Sequence, residues 1–336
     1  PYSFYGIGSL KFKGTTENRA MGGLSVYTDS IHMNFKNPAS YSGNNMFSFN
    51  DEARLVKYTI GVGHTETKLE TSTESDNSTT TTFDYLGLNV PMGKFGMAFG
   101  LIPHSSVGYK VETRNAIDSI QFRFSGEGGL NKVFLGLGYQ ISNNLSVGVD
   151  AHYNFGNIQN TGLEFLYDDI DGNPLAYHAR EINRSDLSGI NFNLGISYKH
   201  LFSNKNELVT SLTYSPTYNL KSINNRTFAS VIVSETTGVE YPINEIEIDL
   251  LSLELQETDL KMPSKLSIGL GIGSSKKWFI GSEYTIIKSS VFSSEFLESS
   301  VNESDINVTD LYNFEDSSIL SIGGFYIPDY NSFNKL

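Results

Sequence analysis

The stretch Leu145-Ser146-Val147-Gly148-Val149-Asp150-Ala151-His152-Tyr153-Asn154-Phe155 alternates apolar residues with small or polar ones without a break. A period of two puts the apolar side chains on one face of an extended strand and the rest on the other. Ile190, Phe192, Leu194, Ile196 and Tyr198 repeat the pattern, interleaved with Asn191, Asn193, Gly195, Ser197 and Lys199. In the same way Phe95, Met97, Phe99 and Leu101 alternate with Gly96, Ala98 and Gly100, and Leu266, Ile268, Leu270 and Ile272 with Ser267, Gly269 and Gly271.

The connections decide what the apolar face touches. Residues 91–94, 142–144, 203–206 and 273–277 are short, polar turns that pair neighbouring strands into hairpins. The other connections are long, at about 66–82, 103–131, 156–189, 216–265 and 288–318. Short turns on one side and long loops on the other are the habit of an up-and-down barrel in a membrane. A soluble sandwich has no reason to sort its loops this way. The reading is therefore an all-β, transmembrane, antiparallel up-and-down barrel at residues 46–336, with about eleven strands and long acidic extracellular loops. Within the loops the acidic Glu70–Thr82 stretch is expected to form a mobile tip. Ile246, Ile248 and Leu250 alternate with acids and predict a strand reaching beyond the bilayer.

Charge placement agrees. Of the 37 Asp and Glu residues, 25 lie in 66–82, 156–189, 216–265 and 288–318. A charge facing lipid near the bilayer midplane costs about 2–4 kcal/mol. The exceptions, Asp150 and Glu283, sit on the small-residue face and are expected to point into a lumen. Tyr153, Tyr198, Tyr214, Trp278 and Tyr284 are candidates for aromatic girdles at the bilayer edges. The 336 residues include 22 Phe, 19 Tyr, 31 Gly and no Cys, so a disulfide framework and thiolate metal sites are excluded. The net charge of −13 argues against nucleic acid as a partner. Outer-membrane lipid is the partner the pattern implies, and the bacterial outer membrane the expected location.

Residues 1–45 read differently. Gly6, Gly8, Gly14, Gly22, Gly23 and Gly43 interrupt any long strand, and a compact segment of this kind ahead of a barrel can sit in the lumen as a hatch. Its apolar residues Leu10, Phe12, Met21, Leu24, Val26 and Phe35 could line a pocket for a hydrophobic ligand, or pack the hatch against the wall.

Arg19-Ala20, the Val26-x-x-Asp29 step and Asn37-Pro38-Ala39 resemble the N-terminal hatch of the FadL-like outer-membrane transporters of long-chain fatty acids and other hydrophobic compounds. Met262-Pro263-Ser264-Lys265, followed by Trp278, Tyr284 and Phe292, resembles a late hairpin of that family, and Tyr326-Ile327-Pro328-Asp329-Tyr330 its Bacteroidota-type members. The resemblance implies fourteen strands, so that the last strands of the barrel are expected to be missing from this sequence. It also implies passive uptake of hydrophobic small molecules past the hatch and out through a lateral opening. Some relatives instead serve as non-transporting barrel subunits of larger outer-membrane secretion or assembly complexes, which is the alternative expectation.

Catalytic and metal chemistry find little support. His32, His64, His104, His152, His178 and His200 fall at no metal-ligand spacing. The acidic run 168–173 lacks the spacing and closing Glu of a calcium loop. No enzyme activity, metal or cofactor is expected.

Overall fold

The computed structural model describes residues 7–28, 31–42, 56–70, 75–114, 119–168, 170, 172–203, 205–234, 236–274, 277–294 and 314–329. The N-terminal segment contains β1 (Ser9–Leu10), α1 (Thr16–Ala20) and a 3-10 turn at Pro38–Tyr41. The strands that follow are β2 (Lys57–Glu70), β3 (Ser75–Met92), β4 (Phe95–Pro103), β5 (Ser105–Arg114), β6 (Ile120–Gln140), β7 (Leu145–Glu164) and β8 (His178–Leu201). After them come β9 (Asn206–Ser215), β10 (Tyr218–Val233), β11 (Glu240–Glu247), β12 (Glu257–Met262), β13 (Lys265–Ser274), β14 (Trp278–Ile287), β15 (Ser293–Ser294) and β16 (Ser317–Tyr326).

All pairings are antiparallel, and the path β2-β3-β4-β6-β7-β8-β9-β13-β14-β16 winds into one continuous wall. β5 continues the column of β4, β10 that of β9, and β11 and β12 that of β13. The described residues thus make ten columns. At the level of the short turns the alternation works as the sequence predicts. Phe99, Leu135, Leu137, Phe192, Leu194, Ile268 and Leu270 are exposed on the outer face. Ala98, Asp150, Asn193, Ser267 and Glu283 are buried on the inner one. Tyr153, Tyr198, Tyr214 and Tyr284 lie on the outer face, and Trp278 is half-buried at the start of β14.

The stretches read as long loops are largely strand. Residues 103–131 carry β5 and the first half of β6; 156–189 the far halves of β7 and β8; 216–265 carry β10, β11 and β12. β8 alone has 24 residues, a length of about 80 Å at 3.3 Å per residue, far more than a bilayer core requires. The tip expected to be mobile, Glu70–Thr82, is a ladder as far as it is described, Ser75 to Thr82 pairing with Glu70 to Gly63. In these stretches one face meets water and apolar residues on the other are sparse, so no sustained apolar period marks them as strand. Within them Ile246 lies on β11, while Ile248 and Leu250 lie beyond its end. The stretch 295–313 lies outside the described residues.

One level of the wall is interrupted on several columns. Pro103 ends β4, Pro216 separates β9 from β10, and Pro263 separates β12 from β13, each proline withholding a ladder donor. Gly129 (φ 145°) and Gly156 (φ 157°) mark the same level on β6 and β7, where Leu130 pairs with Gly156. Just beyond it, inward side chains of six columns meet: Val107, Leu130, Ile158, Leu187, Leu220 and the pair Leu260 and Met262, joined by Ile7 of the N-terminal segment. This apolar layer lies on the inner face of the wall, on the far side of the bilayer region.

Candidate functional site: the hatch in the barrel lumen

The described part of the N-terminal segment is folded inside the wall. Thr15 caps α1 and shares a capping box with Asn18. Gly22 and Gly23 follow with positive φ and turn the chain out of the helix. Asn37 caps the 3-10 turn, its Oδ1 accepting from the Ala39 N–H at 3.0 Å, and Pro38 takes the first helical position, where a missing N–H costs nothing.

Side chains fasten this hatch to strands around the circumference. The Tyr85 hydroxyl on β3 accepts from the Thr16 N–H at 3.1 Å and lies 3.0 Å from the Thr16 hydroxyl. Asn37 Nδ2 donates to the Ile196 carbonyl on β8 at 3.2 Å, and Asn193 Nδ2 donates back to the Lys36 carbonyl at 3.3 Å. Ser42 Oγ donates to Ser146 Oγ on β7 at 2.8 Å. The strongest tie is to β14. Glu283 Oε2 accepts from the Ser25 N–H at 2.6 Å and from the Ser25 hydroxyl at 2.5 Å, while Glu283 Oε1 pairs with Lys36 Nζ at 2.9 Å. Lys36 Nζ also donates to the Gly23 carbonyl. A buried carboxylate persists only when its oxygens are matched in this way.

Inward glycines provide the seat. A Cβ on Gly195 would stand 2.2 Å from Asn37 Oδ1, and one on Gly148 would stand 2.3 Å from the Pro38 carbonyl carbon. At these two positions the wall comes so close to the hatch backbone that a methyl group has no room.

The residues expected to contact a ligand are placed as follows. Leu24 and Val26 are fully buried against Val209 of β9 and Phe279 of β14. Phe35 packs on Tyr85 and Phe134 with ring centroids at 5.5 and 5.7 Å. Met21 is buried beside Gly323 of β16. Phe12 lies within the hatch under the Arg19 guanidinium, 5.2 Å from the ring centroid. Leu10 is 64% exposed on β1, which pairs with Ser105 and Ser106 of β5. The structure thus gathers Met21, Leu24, Val26 and Phe35 at the interface of hatch and wall and leaves Leu10 outside it. Of the motif residues, Asn37, Pro38 and Ala39 are buried; Ala20 is exposed, and Arg19 reaches Asp84 of β3 at 3.8 Å. A cavity of about 10 Å³ lies beside α1, lined by Thr15, Asn18, Met21, Tyr27 and Met33 among others. That is room for about one water molecule. Lys36, Ser25 and Asn193 escaped the sequence reading, whose one signal for them was the lone acid Glu283 on an otherwise uncharged strand.

The all-antiparallel wall with its apolar outer belt has the fold of the FadL-like outer-membrane β-barrels, as solved structures show. The Pseudomonas putida toluene transporter TodX superposes with a TM-score of 0.57 at 16% identity, over 96% of this chain and 82% of that one. The Ralstonia pickettii toluene transporter TbuX gives a TM-score of 0.56 at 13% identity over 96% and 84%. A Pseudomonas aeruginosa FadL homologue gives 0.57 at 13% over 96% and 78%. No curated protein matches the chain. The chain belongs to the BamG family, whose profile matches residues 1–336.

Proposed function

We propose that this chain is a sealed barrel of the bacterial outer membrane that serves as a non-transporting subunit of a larger outer-membrane complex. The observation carrying this reading is the buried junction of Glu283 with Lys36 and Ser25, which bolts the hatch to the wall. Among the described residues, a cavity beside α1 measures about 10 Å³, against the several hundred cubic ångströms of a typical small-molecule site. In this reading the apolar layer around Leu130 and Leu220 forms a second seal on the far side of the lumen. The tall sheet of β6, β7, β8, β10 and β11 offers a large extramembrane surface to a partner.

Passive uptake of hydrophobic compounds through the hatch and a lateral opening is the second reading. It draws on the fold shared with TodX and TbuX, described as toluene transporters. In that reading Leu10, Phe12, Met21, Leu24, Val26 and Phe35 would line the path once the hatch moved.

The test is isolation of the tagged chain from native outer membranes in mild detergent. Stoichiometric recovery with another integral outer-membrane protein is the expected result. A solitary barrel that admits toluene into vesicles would overturn the first reading in favour of the second.

A further inference from the structure

The segment from Thr227 to Leu260 carries eight acids, among them Glu240, Glu245, Glu247, Asp249 and Glu254, and no Lys or Arg. Exposed apolar residues stand among these acids. Phe228 of β10 pairs with Ile246 of β11, and Ile232 with Tyr241. The four share one face of the hairpin and are 38–57% exposed, whereas Ala229 and Val231 point the other way and are buried. The turn after β11 adds Leu251 and Leu253, 71% and 58% exposed. That turn is braced. Leu250 is buried and its carbonyl accepts from the Leu255 N–H at 2.9 Å, while Asn224 Nδ2 on β10 donates to the Leu255 carbonyl at 2.9 Å. Apolar anchors held out by an ordered turn lose little freedom when a partner covers them.

Lipid does not account for this face. A charge near the bilayer midplane costs about 2–4 kcal/mol, yet Glu245 and Glu247 flank Ile246 directly. An apolar patch ringed by charge on a water-facing surface marks a protein contact. Part of the ring is matched within the chain: Arg180 reaches Glu240 at 3.4 Å and Glu245 at 3.2 Å, and Lys221 reaches Glu257 at 2.7 Å. Glu247 and Asp249 are different. Glu247 accepts from Asn225 Nδ2, and Asp249 from the N–H and hydroxyl of Ser252, all neutral donors. Among the described residues neither carboxylate meets a cation. Both line a cavity of about 330 Å³, together with Asn224, Asn225, Leu251 and Gln256 among others. A long cationic side chain would fit there with its stem on Leu251 and its charge on the two carboxylates.

We infer that the β10–β11 hairpin and the 248–256 turn form the docking face for a protein whose own contact patch is apolar at the centre and rimmed with Lys and Arg, one of which seats between Glu247 and Asp249. Charge selects this occupant. A second copy of the chain would set the acidic face against itself, and anionic lipid headgroups would be repelled in the same way. The inference rests on the proposed role as a complex subunit and names the surface and the chemistry of the partner.

The chain has no Cys, so Leu251→Cys supplies a single thiol. In native outer membranes a short thiol-to-amine crosslinker attached there is expected to capture lysines of one other outer-membrane protein, located by peptide mass spectrometry. Adding Glu247→Arg and Asp249→Arg should lower that yield about tenfold or more, with the heat-modifiable mobility of the barrel on a gel unchanged. If the reversed variant fails to assemble, Glu247→Gln with Asp249→Asn makes the same comparison. Crosslinks confined to this chain or to a second copy of it overturn the inference, as does an equal yield from a folded charge variant. Recovery of an intact complex without any crosslink at this face overturns the inference alone. Recovery of a solitary barrel overturns the complex reading with it.

Discussion

Glu283 on β14 and Lys36 on the hatch meet at 2.9 Å inside the barrel, 247 residues apart in sequence. The same carboxylate takes both the N–H and the hydroxyl of Ser25, so one wall residue fixes two points of the hatch. The Glu283 side chain is 1% exposed and that of Lys36 14%, so the junction is sensitive to loss of either one.

Glu283→Ala leaves Lys36 enclosed without its counter-charge, a change that costs about 3–5 kcal/mol when a buried pair is broken. The hatch should loosen while the barrel persists. Planar-bilayer recordings are expected to show open events that the unaltered protein lacks. The double change Lys36→Met, Glu283→Leu should be markedly quieter than the single one, because no lone charge remains. Equal conductance in both variants would count against the junction as the bolt.

Gly195→Val drives a side chain into Asn37 Oδ1 and the Pro38 ring. Overpacking of this kind costs about 1–3 kcal/mol. The expected outcome is faster hydrogen exchange at Ala39, Ser40 and Ser42 with the β7–β8 ladder still protected. Gly108→Ala, on β5 with open space around it and no positive φ, is the control for handling.

Asn37→Ala removes both the cap of the 3-10 turn and the bond to the Ile196 carbonyl. The loss should be about 1–2 kcal/mol, read as a lower urea midpoint for release of the hatch, with the midpoint for the barrel unchanged.

Leu270→Arg and Ile268→Arg put a charge on the outer face of β13 and should lower folding stability in vesicles by about 2–4 kcal/mol. Leu251→Arg, in the exposed segment between β11 and β12, should leave it within error. Equal effects at the three sites would contradict the assignment of the lipid belt.

At the rim, Asp316 receives Lys288 Nζ at 2.6 Å and both the N–H and hydroxyl of Ser290, which together hold its carboxyl down to about 2. A depressed carboxyl stabilises its clasp above the unfolded value near 4 and loses that contribution as pH falls through the folded value. The link between the end of β14 and the start of β16 is therefore expected to hold at pH 5 and to loosen between about pH 4 and 2. Amide exchange of Ser290 against pH is the measurement, and Asp316→Asn should show the loosened behaviour at every pH.

Legibility followed the solvent. Where one face of a strand meets lipid and the other the lumen, as in Leu145–Phe155, alternation survives and the wall could be read directly. Where a face meets water and apolar residues are sparse, as in Ser75–Thr82 or the far half of β8, no apolar period remains, and strands passed for loops. The hatch was legible from its glycines and from Asn37-Pro38-Ala39, since caps and turns are local. Its fastening was not, because Glu283, Asn193 and Ser146 come from strands far away in the chain.

The sequence by itself determined the material of the barrel: which residues face acyl chains and which face inward. Those properties depend on near neighbours at a period of two, and a linear pattern records them. Only the tertiary structure decided that Lys36 finds Glu283, that Pro38 settles over Gly148 and Gly195, and that apolar side chains of six columns meet in one layer. Each of these depends on register and curvature, which sum small strand-to-strand offsets along the wall and leave no trace in any one segment.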